Sequence, residues 1–463
     1  MKDKVRKIKD HIQKVYLTYG RPMVIGFSGG KDSTVTLQVV WDAIAELPPE
    51  KLANNIHVIT TDTLVETPYI ERYIVKTIDA INKAAQEQKL PISAHKLTPL
   101  IEDSFWVNLL GKGYPAPSQQ FRWCTERLKI DPVSRFVREH VDKFGEATIV
   151  LGARLNESSS RDQVLKKQKR DKLGLSKHST LPAAYIFTPI ENFTTDEIWT
   201  YLLSNQKTPW GSNNRDLAAM YQNASSGECP MVIDVSTPAC GNSRFGCWVC
   251  TLVVSDTSME NLIDSGEEWL TPLLEYRDFL SETQKPINKP KYRNYKRRNG
   301  RASLIRDGSR LSYGPYKPEW KKELLRRLLE VERTINEDGP SNQQKLISFE
   351  ELEIIRTYWK TEDNDWEDSV PKIFEEVYGD TYDYNWVQED STTLNINDYQ
   401  LLENICKDDS VPVSLIASLI DMERDLQGMS KRSGVINRIN KIFSEEWRTE
   451  EEIIKSIGSR NDN

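Results

Sequence analysis

Residues Phe27 to Thr34 read Phe-Ser-Gly-Gly-Lys-Asp-Ser-Thr, residue types that together can hold an anion. Gly29 and Gly30 allow a tight turn in which successive backbone N–H groups point the same way. Lys31 adds a full positive charge, and the hydroxyls of Ser28, Ser33 and Thr34 add donors. The apolar run Met23-Val24-Ile25-Gly26 predicts a strand before the turn, and Val35 to Val40 predict a helix beginning near Asp32 or Ser33. A helix start supplies the positive end of its dipole, so strand, turn and helix form a cradle for phosphate groups. A plain helix cap after a glycine turn is the alternative. The Walker pattern is excluded, because it needs Gly-x-x-x-x-Gly-Lys followed by Ser or Thr, and here Asp32 follows the lysine.

Two further stretches carry groups suited to a nucleotide. Thr61-Asp62-Thr63 closes a second predicted strand, Ile56 to Thr60. At such a strand end Asp62 can accept from a ribose hydroxyl or hold Mg2+ through water; an ordinary turn aspartate is the competing reading. Farther on come Gly152-Ala153-Arg154-Leu155-Asn156-Glu157-Ser158 and Arg161. Gly152 lets the strand end come close to a ligand, and Arg154 and Arg161 can neutralise phosphate charge.

The cysteines divide into three groups. Cys229, Cys240, Cys247 and Cys250 are spaced Cys-x10-Cys-x6-Cys-x2-Cys, a set of thiolates that can hold zinc or a 4Fe–4S cluster. The irregular spacing and the apolar Phe245 and Trp248 favour iron–sulfur over zinc. Cys124 stands apart, between Arg122 and Arg127. Positive potential there is expected to lower its pKa and favour a thiolate that carries sulfur as a persulfide. A fifth cysteine of the cluster region, or a quiet buried residue, are the alternatives. Cys406 reads as a small apolar residue of the helical tail.

Between Lys289 and Arg301 lie Lys289, Lys291, Arg293, Lys296, Arg297, Arg298 and Arg301, without an acid and with Tyr292 and Tyr295 interleaved. Lysine and arginine neutralise phosphates and tyrosines stack on bases, so this strip is a candidate DNA contact; a solvated loop or an acidic protein partner are the alternatives. Arg306, Arg310 and Lys317 extend it. The net charge of −7 excludes a uniformly basic nucleic-acid coat, though not a local face.

The elements that must position these groups alternate. A helix is predicted over 3–18 and another over 69–88, with strands at 56–60, 92–97, 148–154 and 185–190. Arg127 to Val141 reads as helical, and Thr194 with Glu197 forms a capping-box pattern opening a further helix. This order predicts an α/β fold with a doubly wound, mostly parallel sheet and ligands at the carboxyl ends of the strands. Three divisions are expected: a sheet domain at 1–215, a four-cysteine and basic region at 216–315, and a helical C-terminal interaction domain at 316–463. No run approaches the roughly 18 apolar residues of a membrane span. The charged start Met1 to Lys7 lacks the apolar run of a secretory signal, so a cytoplasmic chain with no membrane contact is expected.

Ser28-Gly29-Gly30-Lys31-Asp32-Ser33 resembles the signature of the ATP pyrophosphatase (PP-loop) family. The resemblance implies an adenine nucleotide alpha hydrolase-like sheet that splits ATP into AMP and pyrophosphate. Gly152 to Ser158, and Phe121-Arg122-Trp123-Cys124 through Asp131-Pro132, resemble segments of phosphoadenosine phosphosulfate (PAPS) reductases. Those reductases carry a Glu-Cys-Gly-x-His element, whereas this chain has Ala239-Cys240-Gly241-Asn242. They also carry, in their bacterial iron–sulfur forms, a Cys-Cys pair, whereas Thr125 follows Cys124. The whole set is similar to the ATP pyrophosphatases of bacterial DNA phosphorothioation. That likeness implies ATP, Mg2+ and a 4Fe–4S cluster, with zinc as the alternative metal. It also implies DNA, a cysteine desulfurase as sulfur donor and other Dnd-type modification proteins as partners. Lys31, Asp32, Arg154, Arg161 and Cys124 would then be the reacting set. Ser28, Gly29, Gly30, Ser33, Thr34, Asp62 and Gly152 would complete the nucleotide site. A PAPS or adenylylsulfate reductase, a tRNA-thiolating enzyme and a non-catalytic zinc-and-DNA module are the rival classes.

Overall fold

The computed structural model describes residues 1–155, 163, 165–167, 169–223, 246–305, 310–340, 344–379, 384–386, 396–407, 411–426 and 434–461. These divide into two compact units, one of Met1–Phe105 with Pro117–Arg277, the other of Trp106–Ala116 with Asp278–Asn463.

The first unit is built on six strands: β1 (Met23–Gly26), β2 (Ile56–Thr61), β3 (Ile92–Leu97), β4 (Ala147–Val150), β5 (Ser176–Lys177) and β6 (Ala184–Phe187). Their order is β3-β2-β1-β4-β6-β5, with every pair parallel except the short edge strand β5 against β6. The chain winds from β1 outward to β3, then crosses back to place β4 on the other side of β1. That reversal opens a crevice at the carboxyl ends of β1 and β4. β1 alternates between two cores. Met23 and Ile25 pack with α1 (Lys2–Tyr19) and α2 (Lys31–Ala45), through Ile12, Val15, Tyr16, Val39 and Val40. Val24 faces Val133 and Val137 of α4 (Asp131–Phe144) on the opposite side. A sheet covered on both faces needs apolar residues on both, which is why β1 reads as an unbroken apolar run.

α3 (Pro68–Glu87) returns the chain from β2 to β3, with Thr67 accepting from the Ile70 amide as its cap. Thr125–Ile130 forms a wide π-helical turn that runs into α4, so the helix predicted from Arg127 begins with a bulge. The Thr194–Glu197 capping box is present at the start of α5 (Thr195–Ser204), followed by α6 (Asn214–Asn223), α7 (Thr257–Asp264) and α8 (Thr271–Glu282). No described helix is long and apolar enough to cross a membrane.

The second unit is helical: α9 (Pro318–Asp338), α10 (Phe349–Glu362), α11 (Ser369–Tyr378), α12 (Ile396–Cys406), α13 (Val413–Asp425), α14 (Val435–Phe443) and α15 (Glu450–Asn461). Its helices close around the inserted stretch 106–116. Trp106 donates to the Leu346 carbonyl at 2.6 Å, Trp359 to Leu110 at 2.7 Å, and buried Lys321 to Gly111 at 3.1 Å. Ser348 and Glu351 form a capping box at the start of α10, and Cys406 is buried.

Candidate active site

The glycine turn sits at the carboxyl end of β1. Gly29 has φ +74°, a left-handed conformation in which a side chain would be strained and would press on the Tyr73 ring. Gly30 caps α2, which begins at Lys31, one residue earlier than predicted. Ser28 and Ser33 hold the turn. The Ser28 amide donates to Ser33 Oγ at 3.2 Å, and Ser33 Oγ donates to the Gly30 carbonyl at 2.9 Å. The Thr34 hydroxyl is buried and has no hydrogen-bond partner among the described residues. A buried polar atom left unpaired is costly, and a phosphate oxygen in the turn would relieve that cost.

Three charges converge behind the turn. Asp32 accepts from Lys31 Nζ at 3.0 Å and from Arg154 Nε, and all three residues are under 8% exposed. Arg154 also reaches the Phe193 carbonyl at 3.3 Å and Thr195 Oγ1 at 3.4 Å. The spacing of 122 residues between Asp32 and Arg154 is closed by Gly152. Its missing side chain lets the end of β4 touch the first turn of α2, where a β-carbon would stand 3.0 Å from the Asp32 carbonyl. The close approach expected of Gly152 is therefore made to α2. In this state Asp32 is a positioning group that holds both cations at the crevice. Asp62 is engaged elsewhere: it pairs with Lys96 at 2.8 Å and accepts from the Leu64 amide at 2.9 Å. Arg161 lies outside the described residues.

The cysteine segment docks on the next loop. Trp248 N–H donates to the Val65 carbonyl at 3.0 Å, and Cys247 Sγ lies 3.2 Å from Thr63 Oγ1, so Cys247 is fixed against the loop after β2. Buried Arg277 of α8 donates to the carbonyls of Cys250, Val253 and Val254, pinning the far side of the Cys-x-x-Cys turn. The wide turn Thr125–Ile130 brings in a third thiol. Cys124, Cys247 and Cys250 line one cavity of about 350 Å³ with Phe105, Leu128 and Lys129. Cys229 and Cys240 lie outside the described residues. Among the described residues no three ligating side chains meet at metal-binding distance. The donor chemistry, three thiols on one largely apolar wall, fits a thiophilic group such as an iron–sulfur cluster or zinc.

The expected low pKa of Cys124 is corrected. Burial pushes its thiol up to about 11, neighbouring Cys250 adds to the rise, and Lys129 and Thr125 only partly oppose it. Arg127, which was to supply positive potential, is paired with Asp103. Burial, with Glu66 nearby, also raises Cys247 well above its ordinary value.

The basic strip, in the second unit, is largely engaged. Arg293 donates to the carbonyls of Gly314 at 2.8 Å and Tyr313 at 2.7 Å. Arg298 pairs with Glu362, and Arg297 reaches the hydroxyls of Ser303 and Ser312. Lys296 lies over Trp447, Tyr292 is buried, and Tyr295 donates to the Arg448 carbonyl. Lys291 and Arg301 are exposed. Arg310 is exposed as well, and Arg306 is outside the described residues.

Sequence reasoning missed a histidine cluster. His57, His95 and His140 gather around Phe136, with His57 Nδ1 3.1 Å from His95 Nε2 and 4.3 Å between the rings of His57 and His140. Burial and mutual repulsion with His140 and His95 push His57 down to about 4. The available signal was strand alternation: His57 and His95 fall on neighbouring parallel strands, two positions out of register.

Residues 22–252, half of the chain to within a residue, match the phosphoadenosine phosphosulfate reductase domain family. An uncharacterized protein of Methanocaldococcus jannaschii is 26% identical over 199 residues, 43% of this chain and 35% of its own length; the chain thus spans about a third of that curated relative. Among solved structures, the PAPS reductase of Candida auris, in a phosphate complex, is 14% identical with a TM-score of 0.28, covering 46% of this chain and 84% of its own. The U34-tRNA thiolase NcsA of Methanococcus maripaludis, with its [4Fe-4S] cluster, is 14% identical with a TM-score of 0.28, covering 62% and 81%. The FMN adenylyltransferase of Candida glabrata is 17% identical with a TM-score of 0.26, covering 44% and 57%.

Proposed function

From a chain that carries a PAPS reductase-like PP-loop domain at residues 22–252, we propose an ATP pyrophosphatase of the DndC type, which adenylates a DNA backbone phosphate for replacement of an oxygen by sulfur. The observation that carries the nucleotide part is the Lys31–Asp32–Arg154 constellation behind a left-handed glycine turn, with the Thr34 hydroxyl unpartnered beside it. ATP lies with its β- and γ-phosphates in the turn. Lys31 Nζ moves from Asp32 to the departing pyrophosphate, while Arg154 remains on Asp32 and neutralises charge near the α-phosphorus. A non-bridging oxygen of the DNA phosphate attacks that phosphorus and pyrophosphate leaves. The terminal sulfur of a persulfide from a cysteine desulfurase then attacks the DNA phosphorus and displaces AMP, and a second thiol cleaves the S–S bond, so that a disulfide forms as the phosphorothioate is released. Positioning and charge neutralisation supply the acceleration, as in other phosphoryl transfers.

Cys247 and Cys250 would hold a 4Fe–4S cluster together with Cys229 and Cys240, and Cys124, which lines the same cavity, would be a further thiolate within its reach; zinc is the alternative metal. When bound, the cluster supplies sulfur or redox chemistry at the cavity wall. Exposed Lys291 and Arg301 suit the phosphates of a nucleic-acid substrate, and the same ATP site serves a tRNA-thiolating enzyme if RNA is the substrate. Pyrophosphate release measured with DNA, with tRNA and with neither separates them. Release stimulated by DNA supports the proposal, release stimulated by tRNA alone favours thiolation, and no release under any condition rejects both.

A further inference from the structure

The first amide of α2 already has an acceptor. Lys31 N–H donates to the Tyr221 hydroxyl at 3.0 Å, and Lys31 Nζ stands 5.7 Å from the centre of the same ring. A β-carbon on Gly30 would lie 3.1 Å from that hydroxyl, so the phenol closes over the glycine turn. Tyr221 is buried and meets Trp199 of α5 edge-on, with 5.0 Å between ring centres. It belongs to α6, which leads directly into the segment that carries Cys229 and Cys240.

The opening amides of a helix have no intrahelical acceptor, and in an anion cradle a phosphate oxygen takes them. A phosphate is a stronger acceptor than a neutral phenol, because hydrogen bonds to a charged oxygen are roughly twice as strong. We propose that the Tyr221 hydroxyl stands in for a nucleotide phosphate oxygen, satisfying the Lys31 amide in the empty site and leaving it when ATP binds. This rests on residues 27–34 being a nucleotide-phosphate cradle. ATP must break one hydrogen bond before forming its own, so Tyr221 lowers the affinity of the cradle.

The test is equilibrium binding of α,β-methylene-ATP with Mg2+ to the full chain and to Tyr221→Phe. Phenylalanine keeps a ring beside Trp199 and Lys31 but cannot accept from the amide. Removal of one competing hydrogen bond is expected to tighten binding roughly threefold to tenfold. Unchanged affinity overturns the inference, and weaker affinity overturns it too, marking Tyr221 as a direct phosphate ligand. If the wild-type chain fails to bind the analogue, the cradle itself is misread, a result distinct from either. A crystal structure of the wild-type chain with the analogue decides without any variant. It should place a phosphate oxygen on the Lys31 amide with the Tyr221 hydroxyl out of hydrogen-bond reach; a hydroxyl still bonded to that amide overturns the proposal.

Discussion

The glycine turn and the basic strip are both short runs dense in charge, yet their charges serve opposite ends. Behind the turn, Lys31, Asp32 and Arg154 are buried together and aimed at a crevice where the strand order reverses. In the strip, Arg293, Arg297 and Arg298 are turned onto carbonyls, hydroxyls and Glu362 of their own unit. Charge density along a sequence therefore does not by itself mark a ligand site. What distinguishes the turn is convergence of distant residues beside a buried Thr34 hydroxyl that has no hydrogen-bond partner among the described residues, and what distinguishes the strip is that the fold satisfies most of its donors.

Substitutions should break the two regions in different ways. Lys31→Ala should lower pyrophosphate release by about a hundredfold or more, as for loss of a transition-state charge contact, with little change in Tm. Wild-type release in this variant removes the turn from the mechanism. Asp32→Asn should reduce release comparably and also destabilise the unit by about 3 kcal/mol, because it strands buried Arg154 without its carboxylate. Arg293→Ala should cost about 2–3 kcal/mol in urea unfolding through two lost charge-assisted bonds, while leaving pyrophosphate release near wild type. Replacement of Lys291 and Arg301 should leave stability unchanged and reduce the salt slope of DNA binding by about one per lost phosphate contact. An unaltered slope removes the strip from DNA recognition.

The histidine cluster gives the sheet unit a pH signature. His57, pushed from 6.5 down to about 4, is held neutral by the fold. Its contribution is fully present above about pH 6.5 and is lost as pH falls toward 4, on the order of 2 kcal/mol after screening. The urea midpoint should fall over that window in the wild type and fall less in His57→Gln.

The sheet and its winding were legible because β1, β2 and β4 are rich in apolar residues, β3 alternates, helical periods lie between them, and both capping boxes are written within four consecutive residues. The turn was legible for the same reason, since its glycines and lysine are contiguous. The pairing of Arg154 with Asp32, the Tyr221 contact and the pinning of Cys250 by Arg277 join residues far apart in the chain, and no local pattern announces them. The Cys124 pKa was misjudged because flanking arginines were counted as neighbours, whereas in space Arg127 turns to Asp103 and burial dominates. The short edge strand β5 has only two residues and leaves no alternation to detect.

The central claim, cleavage of ATP between its α- and β-phosphorus atoms at this turn, is tested most directly by 31P NMR of the products formed by the full chain. The reaction should contain ATP, Mg2+, DNA and a persulfide-loaded cysteine desulfurase. AMP and pyrophosphate in equal amounts are predicted; ADP with orthophosphate, or unchanged ATP, would contradict it.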